Sequence, residues 1–213
     1  MNTTIAIIDY GMGNLRSVSK ALEHVADHDA RVEITSDPEK VLAADRVVFP
    51  GQGAARDCMA GLKDAGLEQA VRETSCSKPF LGICMGLQVL IDHSEENNGT
   101  DCLGLYRGRV KRFANGVAGQ GLRIPHMGWN QVEQTQHHPL WADVPQHSRF
   151  YFDHSYYLEP SDVGLTAGAT EYGVRFAAAI ARDNVFAIQC HPEKSARTGL
   201  TLLANFARWD GVA

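Results

Sequence analysis

Residues 79–88 read Pro-Phe-Leu-Gly-Ile-Cys-Met-Gly-Leu-Gln, and this stretch decides the fold. Its first half is a short apolar run that predicts a strand buried on both faces, and a helix is expected from residue 85 to about residue 91. Gly82 and Gly86 lie two residues before and after Cys84. This is the pattern of the strand-to-helix turn that carries the nucleophile of α/β hydrolases, where a Cβ at either flanking position would collide with neighbouring elements.

Three properties of such a corner suit a cysteine nucleophile. Cys84 would project from the carboxyl edge of the sheet, where a substrate can reach it. The helix N-terminus beside it favours a thiolate. Free backbone N–H groups nearby can hold a developing oxyanion. The alternative interpretation is a buried structural cysteine in a glycine-rich turn.

The pattern on either side of this stretch predicts an α/β fold. Upstream, strands and helices alternate, which indicates a parallel sheet covered on both faces; we expect strands at 5–8, 31–35 and 46–49, and helices at 15–25, from 36 onward and at 54–65. Downstream, the sequence predicts shorter strands at 107–113, 130–133 and 149–152, a hairpin of 177–181 with 185–188, and a helix at 196–209. We therefore predict one domain over residues 1–213, with a central mostly parallel (mixed) sheet flanked by helices and a nucleophile elbow after a central strand.

Composition excludes several classes of partner and location. The chain has 213 residues, 44% of them hydrophobic, and a formal net charge of −5. A weakly acidic chain without a basic stripe argues against nucleic acid and against an anionic membrane surface as the main partner. There is no apolar run of membrane-spanning length and no basic N-terminal region, so we expect neither a span nor a signal peptide. Five scattered cysteines without a C-x-x-C pair indicate free thiols in the cytoplasm.

A second signal lies near the carboxyl end of the chain. His191 follows an apolar strand, and Glu193 comes two residues later. An imidazole that takes and returns a proton needs its other nitrogen anchored, and a nearby carboxylate fixes its tautomer. Cys84, His191 and Glu193 therefore form a candidate nucleophile, base and orienting group, although His-Pro-Glu by itself would be an ordinary surface turn.

Other motifs bear on the oxyanion hole and on cofactors. Residues 50–53, Pro-Gly-Gln-Gly, end another predicted strand and could turn a backbone N–H towards the sulfur, or could be an ordinary strand-ending turn. His24 and His28 have the spacing of zinc ligands but no evident third ligand, so no metal is expected. Arg16 stands where a dinucleotide fingerprint after Gly11-Met12-Gly13 needs a glycine, and there is no P-loop, so no cofactor is expected.

With these residues in view, the sequence resembles the class I (triad) glutamine amidotransferases, on residues 82–88 and 189–193. Further segments resemble the glutaminase subunits of imidazole glycerol phosphate synthase, a family of histidine biosynthesis. They run from the first strand to the last helix: Asp9-Tyr10-Gly11-Met12-Gly13-Asn14, Pro125-His126-Met127-Gly128-Trp129-Asn130, Tyr151-Phe152-Asp153-His154-Ser155-Tyr156 and His191-Pro192-Glu193-Lys194-Ser195.

The resemblance implies a reaction and a set of site residues. Cys84 would attack the side-chain amide of L-glutamine, and His191, held by Glu193, would protonate the departing ammonia and then activate the water that hydrolyses the thioester. The residues that match the positions around the substrate are Gln52, Gly53 and Met85 for the oxyanion hole, and Gln88, Glu96, Ser155 and Tyr156 for the amino-acid head group.

The resemblance also implies a partner. Free ammonia is protonated and lost in water, and this chain has no spare length for an acceptor site. The family supplies a (β/α)8-barrel cyclase that receives the ammonia and forms imidazole glycerol phosphate and an aminoimidazole carboxamide ribotide. The residues that match positions at the contact between the two subunits are Asn14, Trp129, Tyr151 and Lys194.

Three residues depart from the family pattern. Gln52 replaces a valine in the usual Pro-Gly-Val-Gly, Asp153 replaces a valine, and Cys190 replaces a phenylalanine. A backbone oxyanion donor should tolerate Gln52, although its side chain could alter resting activity. The family implies that glutaminase activity waits on the partner and its ligand, as expected if one peptide must reorient to complete the hole.

Two other functions fit the same elbow. A peptidase-like or deglycase-like hydrolase of small substrates would be active alone and would need neither Gln88 nor the Lys194-Ser195 extension. A non-enzymatic regulatory subunit would keep the fold for binding only. The presence of nucleophile, base and orienting group together disfavours the latter.

Overall fold

A computed structural model describes residues 3–114 and 121–212. Its strands are β1 Thr4–Ile8, β2 Arg31–Thr35, β3 Arg46–Gly51, β4 Phe80–Cys84, β5 Ile91–Ser94, β6 Thr100–Asp101, β7 Tyr106–Arg112, β8 His126–Gln134, β9 Ser148–His154, β10 Tyr156–Pro160, β11 Thr166–Glu171, β12 Arg175–Arg182 and β13 Val185–Ile188. The helices in these ranges are α1 Leu15–Val25, α2 Pro38–Ala43, α3 Ala55–Asp64, α4 Glu68–Ser75, α5 Met85–Gln88 and α6 Ala196–Arg208.

The strands form one mixed sheet, as predicted. Strands β2, β1, β3, β4 and β13 lie side by side in that order, and all their pairings are parallel. The sheet continues through β12, β10 and β7 in antiparallel pairings and ends with β5 and β6, while β11, β8 and β9 branch from β12. Strand β4, with Cys84 at its carboxyl end, therefore lies inside the parallel half, between β3 and β13.

Apolar side chains cover both faces of the parallel strands. On β4, Leu81 and Ile83 pack in one cluster with Leu22 of α1 and Leu203 of α6. Phe80 points to the other face and packs in a second cluster, which includes residues of α3 and α4. Burial on both faces explains why the sequence shows these strands as continuous apolar runs.

Local sequence patterns predicted several helices and strands correctly. Helix α1 has the predicted bounds, and β12 pairs with β13 as the predicted hairpin. Helix α2 begins at Pro38, and the Asp37 side chain accepts a hydrogen bond from the N–H of Glu39 at 2.9 Å. That contact is the cap expected from an aspartate before a proline at the first helical turn.

The prediction of a helix from residue 85 to about residue 91 is wrong. Helix α5 ends at Gln88, and Ile91 begins β5, where it pairs with Tyr106. The Leu90 carbonyl accepts hydrogen bonds from the N–H groups of Leu105 and Tyr106. Pairing with the later strands thus overrides the apolar helical pattern. None of the helices in the two described ranges is long and apolar enough to cross a membrane.

Candidate active site

Cys84 lies at a strained corner between β4 and α5. Its backbone has φ 56° and ψ −109°, a conformation that non-glycine residues rarely adopt. A Cβ on Gly82 would come within 2.7 Å of the Gly86 carbonyl oxygen, and a Cβ on Gly86 would overlap the carbonyl oxygen of Phe49 in β3. Because neither glycine has a Cβ, α5 can pack directly onto the neighbouring strands, as the sequence pattern predicted. This packing holds the corner in place.

We expect Gly86→Ala to destabilise the protein strongly. The clash is with backbone, which cannot rotate away, so the variant should lose about 3 kcal/mol of unfolding free energy. Denaturant unfolding measures the loss. The matched control is Gly66→Ala, where the Cβ meets nothing within 4 Å and only the positive φ of 67° is unfavourable. That control should lose about 1 kcal/mol; equal losses would contradict the packing argument.

The structure brings His191 and Glu193 to the same place. The two residues follow β13, and the His191 Nδ1 lies 2.9 Å from Glu193 Oε1, with both side chains buried. Burial acts to lower the pKa of His191. Interactions with the nearby Cys84 sulfur and with the Glu193 carboxylate outweigh it and raise this pKa above its usual value. The imidazole thus lines one cavity with Cys84 and is held by a carboxylate at its Nδ1.

Backbone contacts hold His191 against β9. Its N–H donates to the Tyr151 carbonyl at 2.9 Å. Ser195 is fully buried, and its Oγ donates to the His191 carbonyl at 2.6 Å and accepts from the Tyr151 N–H at 2.9 Å. Ser195, which entered the sequence analysis only as part of a family segment, therefore fixes the loop that carries the candidate base.

Sequence reasoning missed Gln189. Its side chain is fully buried; Nε2 lies 3.7 Å from the Cys84 sulfur, and Oε1 accepts from Gln88 Nε2 at 2.8 Å. The available signal was a glutamine directly after the buried strand β13, because a polar side chain in such a position needs partners. Gln189 thus links the nucleophile to the candidate substrate residue Gln88.

These groups open into a cavity of about 560 Å³. Its wall contains most of the predicted site residues, with Glu193 behind His191. The lining residues are Gln52, Gly53, Cys84, Met85, Gln88, Glu96, Pro125, Asp153, His154, Ser155, Tyr156, His191 and Lys194. The cavity therefore unites residues that are up to 142 positions apart in the chain (52 to 194).

The four predicted head-group residues all line the cavity. Gln88 is almost fully buried, and its Nε2 donates to the Tyr156 carbonyl at 3.2 Å as well as to Gln189. Its Oε1 has no hydrogen-bond partner among the described residues. Glu96 Oε2 accepts from the N–H of Ala55, at the start of α3, at 2.7 Å. A buried amide oxygen without a partner can accept a hydrogen bond from a ligand that reaches it.

The Pro50–Gly53 turn lies beside the sulfur, because Gly51 pairs with Cys84 in the β3–β4 register. The buried Tyr10 hydroxyl donates to the Pro50 carbonyl at 3.0 Å and lies 3.1 Å from the Cys58 sulfur. Gly53 has φ 87°, a conformation suited to glycine. The turn is thus anchored from inside the protein, close to where an oxyanion would form.

The three family departures lie in different surroundings. Gln52 and Asp153 line the cavity. Cys190 is fully buried in the core beside the sheet, where burial raises the pKa of its thiol well above the usual value. Cys190 is therefore a packing residue, whereas the other two departures can contact a ligand.

Three of the four residues predicted to contact a partner subunit form a line towards the cavity. Trp129 is 47% exposed, and its ring lies 6.2 Å from that of Tyr151 in an edge-on arrangement. The ammonium of Lys194, which lines the cavity, lies 5.9 Å from the Tyr151 ring centroid. Asn14 stands apart from this line and directly precedes α1. Met127, beside Trp129, is also exposed, at 61%.

All five cysteines are unpaired. Within residues 3–114 and 121–212, no three His, Cys, Asp or Glu side chains lie close enough together to hold a metal ion.

Comparisons of sequence and of structure with known proteins point to the same family. The sequence profile of the class-I glutamine amidotransferases matches residues 6–209. The imidazole glycerol phosphate synthase subunit HisH of Methylococcus capsulatus is 58% identical over 98% of this chain and 97% of its own length. The protein of the same name from Nitrosococcus oceani is 56% identical over 99% and 100%. Among solved structures, PurLQS from Thermotoga maritima matches with a TM-score of 0.71 at 16% identity, over 97% of this chain and 98% of that one, and so shares the fold.

Proposed function

The chain belongs to the class-I glutamine amidotransferase family, and we propose that it is the glutaminase subunit of imidazole glycerol phosphate synthase in histidine biosynthesis. It hydrolyses L-glutamine to glutamate and ammonia and delivers the ammonia to a cyclase subunit. The observation that carries the proposal is that Cys84 and His191 line the same cavity, while the Nδ1 of His191 is held 2.9 Å from buried Glu193. Relatives at 56–58% identity over nearly the whole chain support the assignment.

The first half of the reaction uses the sulfur and the imidazolium. The Cys84 thiolate attacks the side-chain amide carbon of glutamine and forms a tetrahedral intermediate. The N–H of Met85 and a backbone N–H from the Gln52–Gly53 turn stabilise the oxyanion. His191 then donates its proton to the leaving nitrogen, the C–N bond breaks, and ammonia departs from the glutamyl thioester.

The second half returns the enzyme to its starting state. Neutral His191 takes a proton from water, and the hydroxide attacks the thioester carbon. The C–S bond breaks, glutamate leaves and the thiolate is restored beside the imidazolium. Glu193 keeps the imidazole in one orientation through both steps, so that the same nitrogen gives and takes the proton.

The head group of glutamine binds at the other end of the cavity. The unpaired Oε1 of Gln88 can accept from the substrate's α-ammonium, and the Glu96 carboxylate adds a favourable charge. Ser155 and Tyr156 lie on the same wall and offer polar groups to the α-carboxylate. These contacts select an amino-acid head group, which a peptidase-like or deglycase-like site would not need.

The partner in this proposal is the (β/α)8-barrel cyclase of the same synthase. It uses the ammonia to make imidazole glycerol phosphate and aminoimidazole carboxamide ribotide. Exposed Met127 and Trp129, and the line from Trp129 through Tyr151 to Lys194 at the cavity, support docking on this side. Asn14 is included in the proposed contact through the family resemblance alone. The chain acts as one amidotransferase domain over residues 1–213, in the cytoplasm and without a cofactor.

Glutamine hydrolysis by the purified chain tests the proposal. We expect slow release of glutamate from the chain alone and a large increase, of about 100-fold or more, when the cyclase and its nucleotide substrate are added. Full activity without the cyclase would favour an independent hydrolase. No activity in either condition would favour the binding-only subunit.

Removing Trp129 tests the docking surface. Trp129→Ala should weaken binding to the cyclase by about 2 kcal/mol, because buried tryptophans are common hot spots at interfaces. Titration of the cyclase into each variant, followed by calorimetry, measures the change. Val212→Asp is the control: Val212 is 67% exposed but follows Gly211, which packs near Pro79 and Asn184 at the opposite, amino end of β4. Equal loss in both variants would contradict this location.

A further inference from the structure

Two buried histidines next to the cavity have no part in the chemistry above. His126 on β8 and His154 at the end of β9 face each other in the strand register, and His126 Nδ1 lies 2.9 Å from His154 Nε2. His126 is stacked between the rings of Phe152, at 4.7 Å, and Tyr172, at 4.0 Å. This stacking fixes the plane of its ring, so the pair is rigid.

The hydrogen bonds of the pair have only one consistent direction. His154 Nδ1 lies 2.7 Å from the Tyr156 carbonyl, which can only accept, so Nδ1 carries the proton. In a neutral ring Nε2 must then accept, and His126 Nδ1 donates to it. His126 Nε2 in turn accepts from Asn130 Nδ2 at 3.3 Å. Burial supports the neutral forms, since it lowers the pKa of His126 to about 4 and that of His154 to about 3.

The inner end of this row of hydrogen bonds reaches the proposed glutamine pocket. The Tyr156 carbonyl accepts a hydrogen bond from His154 Nδ1 and a second one, at 3.2 Å, from Gln88 Nε2. The same Gln88 lines the cavity, and its Oε1 is unpaired among the described residues. Displacement of this carbonyl would therefore move the amide that holds the head group. The outer end, Asn130, follows exposed Trp129 on β8.

We propose that Asn130, His126 and His154 form a positioning relay that fixes the Tyr156 carbonyl and, through it, Gln88, and thereby sets the affinity for glutamine. This inference rests on the glutaminase function proposed above. None of the three relay residues takes or gives a proton in the reaction. Loss of the relay should therefore raise KM for glutamine and leave kcat nearly unchanged.

The test compares two replacements of His126 in the complex with the cyclase. His126→Phe keeps a stacked ring but cannot donate to His154, and should raise KM about tenfold with kcat within about twofold. His126→Asn places an amide nitrogen near the position of Nδ1, so it can donate and should bring KM back to within about threefold of the original value. If His126→Phe does not fold, His154→Gln, which lacks a donor at the Nδ1 position, should give the same increase in KM.

His138→Phe is the matched control. His138 is also buried, with a pKa lowered to about 4 by burial, but it packs against Phe186 and Trp209 and does not line the cavity. Its replacement should leave KM unchanged. Unchanged KM in folded His126→Phe, a fall in kcat alone, or equal effects of His126→Phe and His126→Asn would overturn the relay. Failure of the original complex to use glutamine would instead overturn the proposed function.

Discussion

Cys84→Ala should abolish glutamine-dependent synthesis by the complex while ammonia-dependent synthesis continues at its original rate. Without the sulfur no thioester forms, and the remaining oxyanion donors cannot replace a nucleophile. The expected loss is about 10⁴-fold or more in kcat, the scale seen when a triad nucleophile is removed. Glutamate release measures the first activity, and product formation from added ammonium salt measures the second.

The variant separates chemistry from structure because alanine keeps the Cβ of cysteine. Its backbone can adopt the same φ of 56° at the same cost, so the corner between β4 and α5 should remain. Loss of both activities would show that Cys84 is a structural residue. Cys76→Ala is the control, since Cys76 is exposed on the protein surface and should change neither activity.

The elbow could be predicted because its determinants are local. Gly82, Cys84 and Gly86 lie within five consecutive residues, and the contacts that require glycine there involve the strands predicted on either side. The pairing of His191 with Glu193 is similarly local, because the two residues are only two positions apart in the sequence. Short spacing restricts geometry, so residue type and position are sufficient at these sites.

The helix after Cys84 was predicted too long because its end depends on distant strands. Residues 85–91 are apolar enough for another helical turn, but the carbonyls of Leu90 and Ile91 accept hydrogen bonds from the N–H groups of residues 104–106. The pattern of apolar residues does not record which later segment will pair with an earlier one. Tertiary pairing therefore decides the end of α5.

Contacts across the fold were also beyond sequence reasoning. Gln189 touches the Cys84 sulfur across 105 positions, and His126 meets His154 across 28. Gln88 and Tyr156 were assigned to substrate only through family resemblance, whereas their shared carbonyl contact was not foreseen. Such contacts depend on strand order and register, since β13 lies beside β4 and β8 pairs with β9.

Glu193→Gln should lower kcat by about 10² to 10⁴-fold and change KM for glutamine by less than about threefold. The amide has no charge to stabilise the imidazolium, and its nitrogen can donate to His191 Nδ1, which would select the wrong tautomer. Glu193 does not line the cavity, so binding should persist. Steady-state kinetics of the complex at varied glutamine concentration measure both parameters.

The pH profile gives an independent measure of the same role. The Glu193 carboxylate is one of the groups that raise the pKa of His191. Its removal should lower that pKa, so the limb of the kcat profile that reports the imidazolium should move to lower pH in Glu193→Gln. Glu133→Gln is the control: Glu133 forms a partly exposed ion pair with Arg175, and such pairs contribute little. An unchanged rate and profile in Glu193→Gln would remove its orienting role, because a carboxylate buried 2.9 Å from the base would then be dispensable to proton transfer.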